Sequence, residues 1–191
     1  NPKTMDDYDD VVNRVTKTMI EQIDNLSAIA TEFSNFAKIP KAHNERFNLA
    51  QKLTEIVDLY KYSGECKLNP DLVGFESIDI VADKEQFSRA MINLIKNAIQ
   101  SIPDDGREGV VKIELEGAKE AIIVKIIDNG RGIPDDFKER IFVPNFTTKS
   151  SGAGLGLAIT KNIVESFNGE IWFTSEVEKG TIFYVKIPVA P

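Results

Sequence analysis

Apolar residues recur at intervals of four and three near the start of the chain. Met19, Ile23, Leu26, Ala30, Phe33 and Ala37 have the spacing of an a/d seam in a coiled coil or four-helix bundle. Val12 and Val15 extend the stripe backwards, and Lys17, Glu21, Asp24 and Glu32 lie opposite it. The spacing predicts one helix over residues 6–38. Pro40 ends it, because the residue before a proline avoids the helical region. A single helix cannot bury such a seam alone, so partner helices, a second subunit among them, are expected.

Beyond a short polar linker the pattern becomes mixed. Phe47 and Leu49 suggest a short strand, followed by a helix over residues 50–60. Residues 77–81 alternate like a strand. Asp83 then caps a strong helix, with Gln86 placed to complete a capping box; Phe87, Met91, Leu94 and Ala98 give it a buried face. Two strands follow, 110–116 and 121–127. A stretch rich in Gly, Pro, Ser and Thr runs from 129 to 153, with one helical turn expected near 135–141. An irregular segment of this length inside a compact domain is usually a lid or binding loop. A helix over 155–167 and paired strands over 170–175 and 181–187 close the chain.

Composition narrows the function classes. The chain has 191 residues, 42% hydrophobic and 28% charged, within the ordinary range for a globular protein. No apolar run reaches the roughly 18 residues of a membrane span, so no membrane contact by this chain is expected. A net charge of -7 argues against nucleic-acid binding through a broad basic face. One cysteine and one histidine exclude an internal disulfide and disfavour a zinc enzyme. The polar, acidic opening without an initiator Met suggests a piece of something longer.

Four features carry candidate chemistry. Asn93 and Asn97 stand four apart and share a helix face, where carboxamides offer oxygens to a metal and amides to phosphates; Lys96 lies between them in sequence. Asp128 ends an apolar strand, where a carboxylate can accept from an adenine amino group, and Gly130 and Gly132 let the backbone approach a flat base. Gly152, Gly154, Leu155, Gly156 and Leu157 end the loop and open a helix, whose free amides and dipole suit phosphate; Thr148 and Lys149 lie just upstream. Thr181 opens the last strand, near enough in the pattern to hydrogen-bond close to a base. The glycine run is neither a dinucleotide fingerprint nor a Walker loop.

Taken together, this order and spacing resembles the ATP-binding domain shared by gyrase, the Hsp90 chaperone, histidine kinases and MutL. Residues 93–98 look like its N box, 128–132 its G1 box and 152–157 its G2 box; 142–146 (Phe-Val-Pro-Asn-Phe) look like the F box of histidine kinases. The resemblance implies an α+β fold: a two-layer α/β sandwich, with a mixed sheet covered on one face by helices, here preceded by a long coiled-coil-type helix. It implies ATP and Mg2+ as cofactors, Asp128 on adenine, and Asn97, assisted by Asn93, at the metal and phosphates. Lys96 is a further candidate near the phosphates.

Position 93 chooses within that group. Gyrase-like and Hsp90-like members carry a Glu there to activate water, and an Asn side chain has no basic lone pair for that work. A hydrolytic ATPase is therefore disfavoured, as are a non-catalytic dimerisation scaffold, given the intact glycines and Asn residues, and a serine kinase of the anti-sigma type. Residues 20–40 look like the second hairpin helix of NtrY-like sensor histidine kinases. The expected organisation is residues 1–40 as that dimerisation helix, 41–46 as linker and 47–191 as the ATP-binding catalytic domain. The phosphoacceptor histidine of the first hairpin helix is absent; His43, followed by Asn44 and outside any seam, does not replace it. The expected activity is transfer of the ATP γ-phosphoryl group, with the 147–153 lid closed, to a histidine supplied elsewhere and thence to a response regulator. The expected setting is a homodimer on the cytoplasmic side of a membrane-anchored bacterial sensor.

Overall fold

The computed structural model describes residues 5–37, 43–60, 66–117, 120–148 and 153–190. A helix, α1 (Met5–Ala37), comes first, within a residue of the bounds that its seam predicts. Tyr8, Val12, Val15, Met19, Ile20, Ile23 and Leu26 along it are all exposed. Pro40 lies outside the described residues, as do the side chains of Ala30, Phe33 and Ala37.

The remaining elements are β1 (Asn44–Asn48), α2 (Leu49–Asp58), β2 (Lys67–Asp71), β3 (Asp79–Asp83), α3 (Lys84–Ser101), β4 (Val110–Gly117), β5 (Ala121–Asp128), α4 (Asp135–Lys138), α5 (Gly156–Ser166), β6 (Glu170–Glu176) and β7 (Gly180–Pro188). Five strands form one sheet in the order β2-β4-β5-β7-β6. The β2–β4 pair is parallel and the others antiparallel. β1 and β3 form a separate antiparallel pair, which the chain end joins through the Ile80–Val189 bridge. Helices α2, α3 and α5 pack on one face of the sheet, as expected of a two-layer α/β sandwich.

Strand alternation builds the core. On β5, Ile122, Val124 and Ile126 are buried while Ile123, Lys125 and Ile127 point to the outer face. Val111 and Ile113 of β4 and Phe183 and Val185 of β7 continue that inner layer. Above it lie Phe87, Met91, Leu94, Ile95 and Ala98 of α3 and Ile163 and Val164 of α5, all buried. Asp128 falls in phase with the buried set of β5.

Two elements depart from the sequence pattern. β1 begins at Asn44, inside the segment read as linker, because pairing with β3 recruits polar residues. β2 has no apolar alternation and contains Pro70; it forms at the sheet edge by pairing with β4, where a missing N–H is tolerated.

The cap of α3 also takes a different form. Asp83 Oδ1 accepts from the backbone N–H groups of Glu85 (3.1 Å) and Gln86 (2.9 Å). The Gln86 amide, however, donates to Asp83 Oδ2 (3.4 Å), an acceptor that a Ser or Thr cap lacks. Oδ2 also accepts from the His43 N–H (2.9 Å), so one carboxylate ties α3 to the entrance of β1. Burial pushes this carboxyl up, but the hydrogen bonds from Gln86, His43 and Glu85 outweigh it and hold it below the usual carboxylate range. Its contribution to stability is therefore present above that range and is lost as pH falls through the lowered value. Asp83→Ala is expected to cost about 1 kcal/mol at neutral pH in urea denaturation, and the deficit relative to the parent should shrink on acidification.

Candidate functional site

Asn93, Asn97 and Ser101 follow one another at four-residue spacing along α3, so they form one row beside the helix's buried face. This row faces α5 at one end and the end of β5 at the other. Asn93 Nδ2 donates to Thr160 Oγ1 (2.9 Å), and that buried hydroxyl donates to the Gly156 carbonyl (2.9 Å). The Asn93 carboxamide also lies against Gly156, where an added Cβ would come within 2.5 Å of its oxygen. Asn93 therefore joins α3 to the first turn of α5. Asn97 is half-buried between Asn93 and Ser101, whereas Lys96 is exposed, roughly a quarter-turn round the helix from Asn97.

At the other end, Asp128 is 5% exposed, and three donors converge on one of its oxygens. Oδ1 accepts from the Gly130 N–H (2.9 Å), the Ser101 hydroxyl (2.9 Å) and the Thr181 N–H (3.2 Å). The Oδ2 atom has no partner among the described residues. No buried side-chain polar atom is left unsatisfied there, so Oδ2 opens outward as an acceptor. Burial pushes this carboxyl up; the bonds from Gly130, Ser101 and Thr181 pull it back without cancelling the rise.

Close backbone approach holds this arrangement together. Gly180, at φ +116°, lies so near the Asp128 carbonyl that a Cβ would stand 1.9 Å from it. Gly130 leaves its Cβ space to the Ser101 hydroxyl. The Cβ positions of Gly132 and Gly154 are taken by the Glu176 and Phe146 carbonyls. Gly154 thus seats the start of α5 on the 142–146 segment, with Leu155 buried and Leu157 half-buried. Phe146 itself packs against Phe137 and under Arg140. Lys149 and Gly152 lie outside the described residues, and Thr148 is exposed.

Thr181 pairs with Asp128 across the β5–β7 ladder. Its hydroxyl lies 2.9 Å from that of Ser175, which donates to the Gly180 carbonyl (3.0 Å) and accepts from the Ile133 N–H (2.8 Å). A hydroxyl has one hydrogen, so when Ser175 donates to the Gly180 carbonyl, Thr181 is the donor to Ser175. In that arrangement Thr181, 4% exposed, keeps only acceptor lone pairs. Asn129 likewise acts inwards: it accepts from the Val110 N–H (2.9 Å) and donates to the Glu108 carbonyl (2.9 Å).

The sequence pattern alone does not single out Ser101, Thr160 or Ser175. Ser101 was findable by carrying the Asn93–Asn97 interval one step further. Thr160 and Ser175 act across elements and leave no local signal. Among the described residues no group of three or more His, Cys, Asp or Glu side chains could hold a metal ion. A divalent ion here would depend on carboxamide oxygen and on oxygens brought by a ligand.

Comparison with known proteins identifies the family. Residues 82–191 match the family described as histidine kinase-, DNA gyrase B- and HSP90-like ATPase. Sensor histidine kinase ZraS of Salmonella typhimurium is 31% identical over 180 residues, which cover 93% of this chain and 38% of ZraS. Nitrogen regulation protein NtrY of Azorhizobium caulinodans is 30% identical over 171 residues, covering 85% of this chain and 21% of NtrY. The catalytic domain of histidine kinase ThkA superposes with a TM-score of 0.66 at 30% identity, covering 78% of this chain and 99% of that domain. ThkA in complex with response regulator protein TrrA gives a TM-score of 0.73 at 27% identity, with 100% of this chain and 53% of that one covered. The chain therefore spans well under half the length of these curated relatives.

Asp128→Asn tests the electrostatics of the site. The raised carboxyl stabilises the fold most when protonated, and that contribution is lost as pH rises through its folded-state value. An Asn can keep its oxygen on the three donors and turn its amide outward. The variant is expected to be at least as stable as the parent at neutral pH in urea denaturation, with the advantage vanishing at acid pH.

Proposed function

The chain belongs to the histidine kinase-, DNA gyrase B- and HSP90-like ATPase family, as a histidine kinase catalytic domain, and from that premise we propose that it binds Mg-ATP in the cleft between the Asn93–Ser101 row, Asp128 and the start of α5. The observation that carries this reading is the Asp128 carboxylate. Its Oδ1 is held by three donors, and its Oδ2 is left open outward as an acceptor. An adenine 6-amino group is a donor of matching kind.

Asn97 supplies carboxamide oxygen to magnesium, together with phosphate oxygens of the nucleotide. Magnesium keeps most of its shell for water and phosphate, and its charge neutralises that of the triphosphate. Asn93 is occupied differently, with its amide on Thr160 and its oxygen against Gly156. It sets the first turn of α5, whose N–H groups and dipole receive phosphate beside Gly154, Leu155, Gly156 and Leu157. Lys149, Gly152 and Lys96 remain candidates for phosphate contact.

The reaction is transfer of the γ-phosphoryl group to a histidine that this chain does not supply. Such transfer rests on positioning and charge neutralisation. Hydrolysis needs a base beside the γ-phosphate, and Asn93 is neither basic nor unengaged. His43 is exposed, and its backbone is tied to Asp83. From the imidazole the phosphoryl group passes to an aspartate of a response regulator; the likeness to ThkA in complex with TrrA supports that partner.

In α1 the exposed Val12, Val15, Met19, Ile23 and Leu26 support a homodimeric helical bundle. Burying side chains of this size contributes about 1.5–3 kcal/mol each. Among the described residues no helix is long and apolar enough to cross a membrane. We place this part of the protein in the cytoplasm, on a sensor anchored by other segments.

Two measurements test the proposal. Calorimetry with Mg-ATP should give saturable binding that Asn97→Ala weakens at least about tenfold in magnesium and far less in EDTA. Incubation with γ-labelled ATP should leave the chain unlabelled and free nucleotide largely unhydrolysed. Label on His43, or steady turnover abolished by Asn97→Ala, would overturn the kinase reading.

A further inference from the structure

We propose that Ser101 is a specificity-determining positioning residue: its hydroxyl sets whether the Asp128 oxygen facing the cleft accepts or donates, and so whether the site takes 6-amino or 6-oxo purines. The inference rests on the nucleotide reading above and adds to it a residue and a selectivity mechanism.

The geometry offers the single Ser101 hydrogen two acceptors. The Ala98 carbonyl is 2.7 Å away and Asp128 Oδ1 is 2.9 Å away. A charged acceptor forms the stronger bond, so with Asp128 ionised the hydrogen goes to Oδ1. When Asp128 is protonated, the Gly130 and Thr181 N–H groups still hold Oδ1, since backbone cannot turn away. The proton must then sit on Oδ2, the oxygen that faces the cleft. The Ser101 hydrogen is released to the Ala98 carbonyl, a neutral partner. Ser101 thus bonds more strongly in the ionised state than in the neutral one, and it biases the carboxyl towards ionisation.

The consequence for recognition follows from donor and acceptor counting. Ionised, Oδ2 accepts from a 6-amino group and repels a 6-oxo group. Protonated, it donates to a 6-oxo group and meets a 6-amino group donor to donor. Thr181 does not reverse this choice while Ser175 donates to the Gly180 carbonyl, because the Thr181 hydrogen is then on Ser175.

Among the described residues no charged side chain bonds to the Asp128 carboxyl in place of Ser101. Arg107 at the end of the α3–β4 loop pairs with Asp105 and Glu178. Lys179 in the β6–β7 turn pairs with Glu176. Arg131, following Gly130, is exposed. Asp128 is buried, and its described partners are Gly130, Ser101 and Thr181. Ser101 is also well placed for a local effect. Its carbonyl accepts from the Arg131 N–H (3.0 Å), and its hydroxyl occupies the space that Gly130 leaves.

The test compares ADP with inosine diphosphate, by calorimetry from pH 5 to pH 8, on the whole 191-residue chain and its variants. The carbon resonance of the Asp128 carboxyl is followed in parallel without ligand. In Ser101→Ala the carboxyl should titrate at higher pH than in the parent. The pH at which ADP affinity falls should move up with it, and the ADP preference over inosine diphosphate at the acid end should drop about tenfold, the weight of one hydrogen bond to a charged group. Ser101→Cys fills the space with a weak donor and should follow Ala; it also reports should the Ala variant fail to fold. Asp128→Asn, which presents an amide donor at every pH, should prefer inosine diphosphate without a pH dependence from this site. Equal weakening of both nucleotides in Ser101→Ala, with an unmoved titration, would make Ser101 merely structural and overturn the proposal. A Cys variant indistinguishable from the parent would do the same. Should the parent itself bind neither nucleotide, the adenine reading fails and takes this inference with it.

Discussion

A carboxylate placed at a core position of a strand is the constraint around which the cleft is organised. Asp128 takes the inward position that Ile122, Val124 and Ile126 take before it, and at neutral pH its charge is costly there. Three donors from three different segments meet that cost on a single oxygen. Each of those segments is fixed by something else: Ser101 by α3, Gly130 by its contact with Ser101, and Thr181 by the β5–β7 ladder. The buried charge therefore dictates how the end of α3, the loop after β5 and the start of β7 come together. The second oxygen is left over because the donors are exhausted, and that remainder is the surface proposed to meet the base.

The glycines follow from the same crowding. Gly180 stands against the Asp128 carbonyl with a left-handed backbone, and any side chain would push β7 away from β5 at the register point that supplies the Thr181 N–H. Gly130 exists to let the serine hydroxyl reach the carboxylate. Neither needs to touch a ligand to be indispensable; they act by bringing protein groups together. A motif that reads as room for nucleotide is, in large part, room for the protein's own packing.

That distinction explains what the sequence made legible. Helical and strand periods located α1, α3, α5 and the β4–β7 strands to within about two residues, because each carries a continuous apolar stripe. The row on α3 was legible at Asn93 and Asn97, since four-residue spacing is a local property. β2 was not, because Lys-Leu-Asn-Pro-Asp has no stripe and forms only when β4 provides an edge. The spacing makes Asn93 a ligand-facing carboxamide, whereas its amide is spent on Thr160, 67 residues away in sequence. The capping Gln86 was read correctly in place but not in partner, because an Asp cap has a second oxygen to offer. Pairings that depend on two distant elements have no signature in either alone.

The Asn93–Thr160–Gly156 chain gives the cleft its mechanical character. It fastens the first turn of α5, where phosphate is proposed to bind, to the same helix that ends at the adenine-side carboxylate. In the proposed site, base and triphosphate ends would thereby be measured against one helix, α3, rather than against the glycine-rich loop between them. A Glu at position 93 would have no amide to give Thr160, and its charge would sit against the helix start meant for an anion. The asparagine therefore places no base at this position, and in the proposed site it would hold the two ends at a fixed separation. Transfer to a histidine supplied from elsewhere asks for that fixed donor, since with the nucleophile on another element, the geometry of the phosphoryl group is what this domain has left to control.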